Sequence, residues 1–191
     1  MIHIITPCTR VENLPIMQQS IPLECTWTIV LDSSVPKMPE GGGLRATIYR
    51  SPYTGHWGNP NRNFALDQMK FDDLDWIYIL DDDNIIHPEW YKNVKDLNHP
   101  VLTAVAWGQV WQNGSVRLHP PFIPRVGAID TSCYMVRGHV MKRERYAMNY
   151  EADGMMAERA YTYGSYYCLN EYLGYYNYLR TPPEKAFWES K

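Results

Sequence analysis

The sequence is short of several things, and each shortage removes a class of explanation. Only four cysteines occur in 191 residues. They stand at Cys8, Cys25, Cys133 and Cys168, with no Cys-x-x-Cys pair and no histidines clustered beside them, which argues against a zinc site and against a disulfide framework. Scattered thiols of this kind suit a reducing compartment, so a cytoplasmic location is expected. No apolar run reaches the roughly 18 residues that a membrane-spanning helix needs. The opening residues, MIHIITP, carry no basic region ahead of a long apolar stretch, and they read as a first strand rather than a signal peptide. An excess of positive charge is also missing. Lys and Arg number 18 against 21 Asp and Glu, for a net charge of −3, so a nucleic-acid partner is not expected. Internal repeats and low-complexity tracts are absent.

What remains is an ordinary soluble composition with one bias. Tyr (15) and Trp (7) far outnumber Phe (4), giving many flat rings with a polar handle. Short apolar runs at residues 2–6, 26–31, 46–49, 76–80 (WIYIL) and 101–107 read as strands. Helices are expected over 61–71, capped by Asn61, and over 88–97, opened by Pro88. The Pro- and Gly-rich stretches 33–43 and 51–61 read as loops. Asn113-Gly114 marks a hairpin, followed by a strand over 131–136 and helices over 138–146 and 152–161. The Tyr-rich stretch 169–179 fits either state. Strands alternating with helices imply a mainly parallel sheet with helices on both faces, extended by a smaller antiparallel portion. Ligands of such sheets bind beyond the carboxyl ends of the strands, so the residues just after each strand are the candidates.

Asp81, Asp82 and Asp83 follow WIYIL directly. Three adjacent carboxylates repel one another, and a hard divalent cation such as Mn²⁺ or Mg²⁺ relieves the conflict while bridging the oxygens of a diphosphate. The alternative is an acidic turn facing water, but apolar sequence resumes at once in Ile85, Ile86 and Trp90. After the first strand come Thr6, Pro7 and Arg10, and after the second comes Asp32. Asp32 suits the imide N–H of uracil, or equally a turn. Arg62 and Asn63 open the first predicted helix, where they can hold a phosphate or base edge, or simply face solvent. Trp57, Trp107 and Trp111 can platform a sugar ring or pack under the hairpin.

A strand followed by T-P-x-x-R, a second strand ending in Asp, Arg-Asn at a helix start and an acidic triplet followed by P-x-W together resemble the GT-A glycosyltransferases. Their acidic triplet is the DxD motif. Within that family the pattern is similar to the N-terminal transferase domain of capsid-glycosylating proteins of chlorella-infecting viruses. The resemblance implies a GT-A, Rossmann-like α/β fold. It implies Asp83 and Asp81 as metal ligands, and Thr6, Pro7, Arg10, Asp32, Arg62, Asp81 and Asp82 around a UDP-sugar. The segment EADGMMAERAY resembles the family's base-bearing segment, implying Asp153 as catalytic base, with Glu151 or Asp130 as alternatives. Asp153 also suits a helix N-cap. A late His serves as a metal ligand in some members, and His119 or His139 would be its counterpart here.

The expected organisation is a single domain. Residues 1–100 form a nucleotide-sugar half, 101–180 an acceptor half for a glycan or glycoprotein, and 181–191 a tail, with further domains of a longer chain as partners. The competing readings are a nucleotidyltransferase, a non-catalytic nucleotide-sugar module and a metal-dependent phosphoesterase. The first usually has a Gly-rich loop after its first strand, and TPCTRVENLP contains no Gly.

Overall fold

The computed structural model describes residues 1–36 and 43–180; the expected tail and part of the loop at 33–43 lie outside them. The first strand, β1 (Ile2–Cys8), lies inside the sheet, in its parallel part. It pairs in parallel with β2 (Thr26–Leu31) on one side and β4 (Trp76–Ile79) on the other, and β2 pairs in parallel with β3 (Thr47–Arg50). The expected end of β1 at Pro7 comes two residues early. Pairing with β4 stops at Ile5, so a residue without an N–H costs no ladder bond on that side.

The second half turns antiparallel. β7 (Tyr134–Arg137) runs against β4 and against β5 (Leu102–Trp111), and β5 turns back through the expected Asn113-Gly114 hairpin into β6 (Val116–Leu118). Gly114 has φ +82°, the left-handed conformation such a turn needs. The Tyr-rich stretch resolves as a strand, β8 (Ser165–Tyr176), parallel to β5. The sheet order is thus β3-β2-β1-β4-β7-β5-β6, with β8 on β5. This is an open, mixed α/β sheet, parallel from β3 through β2 and β1 to β4, of the Rossmann-like GT-A type.

Alternation along each strand divides the core into two layers. Ile4, Trp27, Ile29, Tyr78, Trp90 and Trp107 pack on one face. Ile5, Val30, Ile77, Ile79, Ala65 and Met156 pack on the other. Helices α1 (Leu14–Ser20) and α3 (Trp90–Val94) bury Leu14, Met17, Trp90 and Val94 in the first layer. α2 (Asn59–Gln68), α4 (Gly138–Met141) and α5 (Ala152–Thr162) contribute to the second.

Two expected helices are shorter than their sequence pattern. α3 keeps five residues of the ten expected, and α4 keeps four of nine before Arg145 turns its guanidinium onto the carbonyls of Met141 and Glu144. α2 begins two residues earlier than expected, on Gly58 at φ +78° with Pro60 in its first turn. Among the described residues no helix is long and apolar enough to cross a membrane, and the four cysteines are free.

Candidate active site

The carboxyl ends of β1, β2 and β4 open into a cleft of about 920 Å³. Its wall includes Pro7, Arg10, Asp32, Arg62, Asp81, Asp82, Asp83, Asp130, Glu151 and Asp153, so nearly all the expected site residues meet in one place. Thr6 is the exception. It is fully buried within β1, and its hydroxyl accepts a bond from Trp27 Nε1 at 3.0 Å.

The acidic run leaves β4 with its members doing different things. Asp82 points away from its neighbours into the turn after β1. Its carboxylate accepts from Thr9 N (2.6 Å), Thr9 Oγ1 (2.9 Å), Arg10 N (2.8 Å) and Arg10 Nη1 (2.6 Å). That set of donors fastens the turn carrying Arg10 to the end of β4. Asp81 is the most open of the three at 29% side-chain exposure. It accepts from Arg62 Nη2 and, at 2.9 Å, from Thr131 Oγ1.

Asp83 is nearly buried. Arg180 Nε lies 2.8 Å from its Oδ2 and Arg10 Nη1 lies 3.7 Å away, while the Leu179 N–H bonds to the Asp83 carbonyl at 2.7 Å. Burial first, then the charges of Asp81 and Asp82, push the Asp83 carboxyl up to about 6 despite Arg180 and Arg10. A group so displaced is one that an added positive charge stabilises.

Arg62 sits on the fourth residue of α2 rather than at its start, and only 4% of it is exposed. Its Nη2 meets Asp81 Oδ1 at 2.8 Å, while Nη1 meets both Asp153 Oδ1 and Asn59 Oδ1 at 2.8 Å. Its guanidinium also lies 5.3 Å from the centre of the Tyr146 ring. Arg62 therefore joins the acidic run to the candidate base. Asn63 turns away from the cleft and pairs with the backbone of Tyr146 in both directions.

Asp153 lies in the first turn of α5, with its side chain 23% exposed. It is not the N-cap; that position falls to Glu151, whose side chain makes no capping bond and is exposed at the cleft. Burial pushes the Asp153 carboxyl up to about 7, with Arg62 opposing and Asp130 and Asp81 reinforcing. Asp130 caps the short 3-10 turn Thr131–Cys133 and bonds to Gln109 and Arg117.

Asp32 is 1% exposed and accepts from Ser34 N, Ser34 Oγ and Asn61 Nδ2. Burial alone would raise its carboxyl, but the bonds from Ser34, Thr54 and Asn61 outweigh it and hold the group below the ordinary range. Asn61 Oδ1 is buried with no partner among the described residues.

The two histidines weighed as metal ligands stand elsewhere. His119 pairs with the Tyr172 hydroxyl at 2.8 Å, and His139 lies beside the Asp73 carbonyl, beyond the amino end of β4 and so opposite the cleft. Among the described residues no group of three or more His, Cys, Asp or Glu is arranged to hold a metal. Of the three tryptophans, Trp107 is core and donates to the Ser132 carbonyl. Trp111 meets Tyr176 edge-to-face at the cleft, and Trp57 stands 60% exposed at its lip.

Arg180, Asn59 and Tyr150 line the cleft, Thr131 bonds to Asp81 without lining it, and none of the four had a local signal. Arg180 reaches Asp83 across 97 positions and Thr131 reaches Asp81 across 50, so only the fold reveals them.

Comparison with known proteins agrees with this architecture. The fold is similar to S. aureus TarS 1-349, with a TM-score of 0.62 and 14% identity over 91% of this chain. The matched region is 59% of the TarS structure, so the chain spans well under two thirds of that protein fragment. It is also similar to a 4-diphosphocytidyl-2C-methyl-D-erythritol synthase, with a TM-score of 0.52 and 10% identity over 99% of this chain and 96% of the other. No protein-family model matches the sequence. No curated protein matches it either. At these identities the likeness is one of fold.

Proposed function

We propose that this chain is a metal-dependent glycosyltransferase that moves a sugar from a UDP-sugar to a hydroxyl of a glycan or glycoprotein, with inversion at the anomeric carbon. The observation that carries the reading is the Arg62 bridge. One buried guanidinium holds the outermost acid of a diphosphate-facing run beside a carboxylate of raised proton affinity in one cleft.

Asp81 and Asp83 fit a Mn²⁺ or Mg²⁺ ion, because such ions take one or two protein carboxylates and fill the remaining positions with phosphate oxygens and water. The ion would supply charge neutralisation for the departing diphosphate. The remaining work falls to the chain. Arg10 and Arg180, already at the acidic corner, supply further positive charge beside the diphosphate. Asp32 and Asn61 line the place of the base, with the orphaned Asn61 Oδ1 able to accept an N–H from a uracil edge. Asp153 accepts the proton of the acceptor hydroxyl as that oxygen attacks, and its raised proton affinity suits a base working near neutral pH. One base and one displacement give inversion.

A second reading, nucleotidyl transfer, draws on the near-complete coverage of the diphosphocytidyl synthase fold. The two differ in product. A panel of UDP- and GDP-sugars with Mn²⁺, assayed for nucleotide release, tests both. UDP release lost in Asp83→Asn supports glycosyl transfer. Pyrophosphate release from nucleoside triphosphates, with none of UDP, overturns it.

A further inference from the structure

The structure assigns a second binding place to the lip of this cleft: we propose that Trp57 and Tyr150 form a subsite for one pyranose ring of the carbohydrate acceptor. The inference rests on the transfer reading above and names the class of its acceptor.

Both rings are 60% exposed. They meet edge-to-face, 5.8 Å between centroids at 72°, and both line the cleft. They come from opposite halves of the chain. Trp57 belongs to the loop between β3 and α2, and Tyr150 to the segment entering α5. The halves are tied just behind them, where Asn59 Nδ2 donates to the Asn149 carbonyl at 2.9 Å. Tyr150 precedes the candidate base by three positions, and both residues line the same cleft.

The backbone beneath Trp57 is unusual. Residues 55–58 all have positive φ, at 74°, 48°, 54° and 78°. Glycine takes this region freely, but His56 and Trp57 carry a Cβ and do so at steric cost. A Cβ on Gly58 would lie 3.2 Å from Pro7 Cβ, so this turn is wedged against the end of β1. Strain of this kind holds a large ring out in water, where most of its surface stays uncovered by the protein. A pyranose offers the complementary surface. Its C–H face covers an aromatic ring, while its hydroxyls stay at the rim for hydrogen bonding and for attack.

The test uses the full chain, Trp57→Ala, Tyr150→Ala and Trp57→Phe. Saturation-transfer NMR is run with the methyl glycosides of glucose, galactose, mannose, xylose and rhamnose. UDP binding with Mn²⁺ is measured separately by calorimetry. At least one glycoside is expected to show saturation of its ring C–H protons. Its half-saturation concentration should rise about three- to tenfold in each alanine variant and stay near the parent value in Trp57→Phe. UDP affinity should be unchanged throughout. The proposal fails if the parent binds UDP but no glycoside, or if the alanine variants bind glycosides as the parent does. It also fails if they lose UDP affinity instead, which would make the pair a nucleobase platform. Failure of the parent to bind UDP would count against the transfer reading alone.

Discussion

Arg62 Nη1 lies 2.8 Å from Asp153 Oδ1, across 91 positions of sequence, while Nη2 of the same guanidinium lies 2.8 Å from Asp81. A cation that is 4% exposed between two acids is a structural commitment. Removing one partner of a buried ion pair leaves the other uncompensated, at a cost of about 3–5 kcal/mol. Arg62→Ala is therefore expected to lose stability on that scale. Arg62→Lys should lose less, because an ammonium keeps the charge but does not span Asn59, Asp81 and Asp153 at once. Urea unfolding of the three proteins measures both.

Asp153→Asn should leave UDP and Mn²⁺ binding intact and lower turnover by about 10²–10⁴, the usual contribution of a positioned base. With its carboxyl pushed up to about 7, any transfer by the parent chain should gain rate as pH rises through that value. A pH–rate profile flat between pH 5 and 8 would remove Asp153 from the role, and equal loss in Glu151→Gln or Asp130→Asn would reassign it.

The same two raised carboxyls make a prediction about stability. Asp83 (about 6) and Asp153 (about 7) hold protons more tightly when folded than the ordinary carboxyl near 4. Between those values the folded chain binds more protons than the unfolded one, so their contribution to stability falls as pH rises from about 4 to 7. Denaturant midpoints without divalent ions, compared between the parent and Asp83→Asn/Asp153→Asn, should show this downward slope in the parent and a flatter one in the double variant.

Asp82 and Asp83 should separate cleanly. Asp82→Asn weakens a carboxylate that accepts four bonds from Thr9 and Arg10, so it should cost about 2–3 kcal/mol of stability. Asp83→Asn removes a carboxyl whose ionisation opposes folding above about pH 6, so it should lose no stability at neutral pH, yet abolish Mn²⁺-dependent UDP binding. Thermal melts and calorimetry of the two variants read the difference.

Much of this arrangement was legible from the chain alone, for local reasons. WIYIL followed by three acids announces a strand end, and β2 matches its expected span of residues 26–31. Asn113-Gly114 announces its hairpin because only a left-handed residue closes it. What stayed hidden depends on distance. Asp82 reads like its neighbours until the turn at Thr9 arrives to use it. Thr6 carries a site-like sequence position, yet faces Trp27 within the core. Residues 169–179 could be assigned to a strand only once β5 lay alongside them. α1 went unread because its buried positions, Leu14 and Met17, are too few to show a period within seven residues.

The contacts of α2 with residues 146–153 form a seam. Asn59 reaches the Asn149 carbonyl, Arg62 reaches Asp153, and Asn63 pairs with Tyr146. A breakpoint near residue 100, where the chain divides most simply, would split that seam through all three. Recombinants that exchange one half for a foreign one will therefore misfold or lose alignment at the cleft, unless the matching asparagines, arginine and aspartate travel as a set.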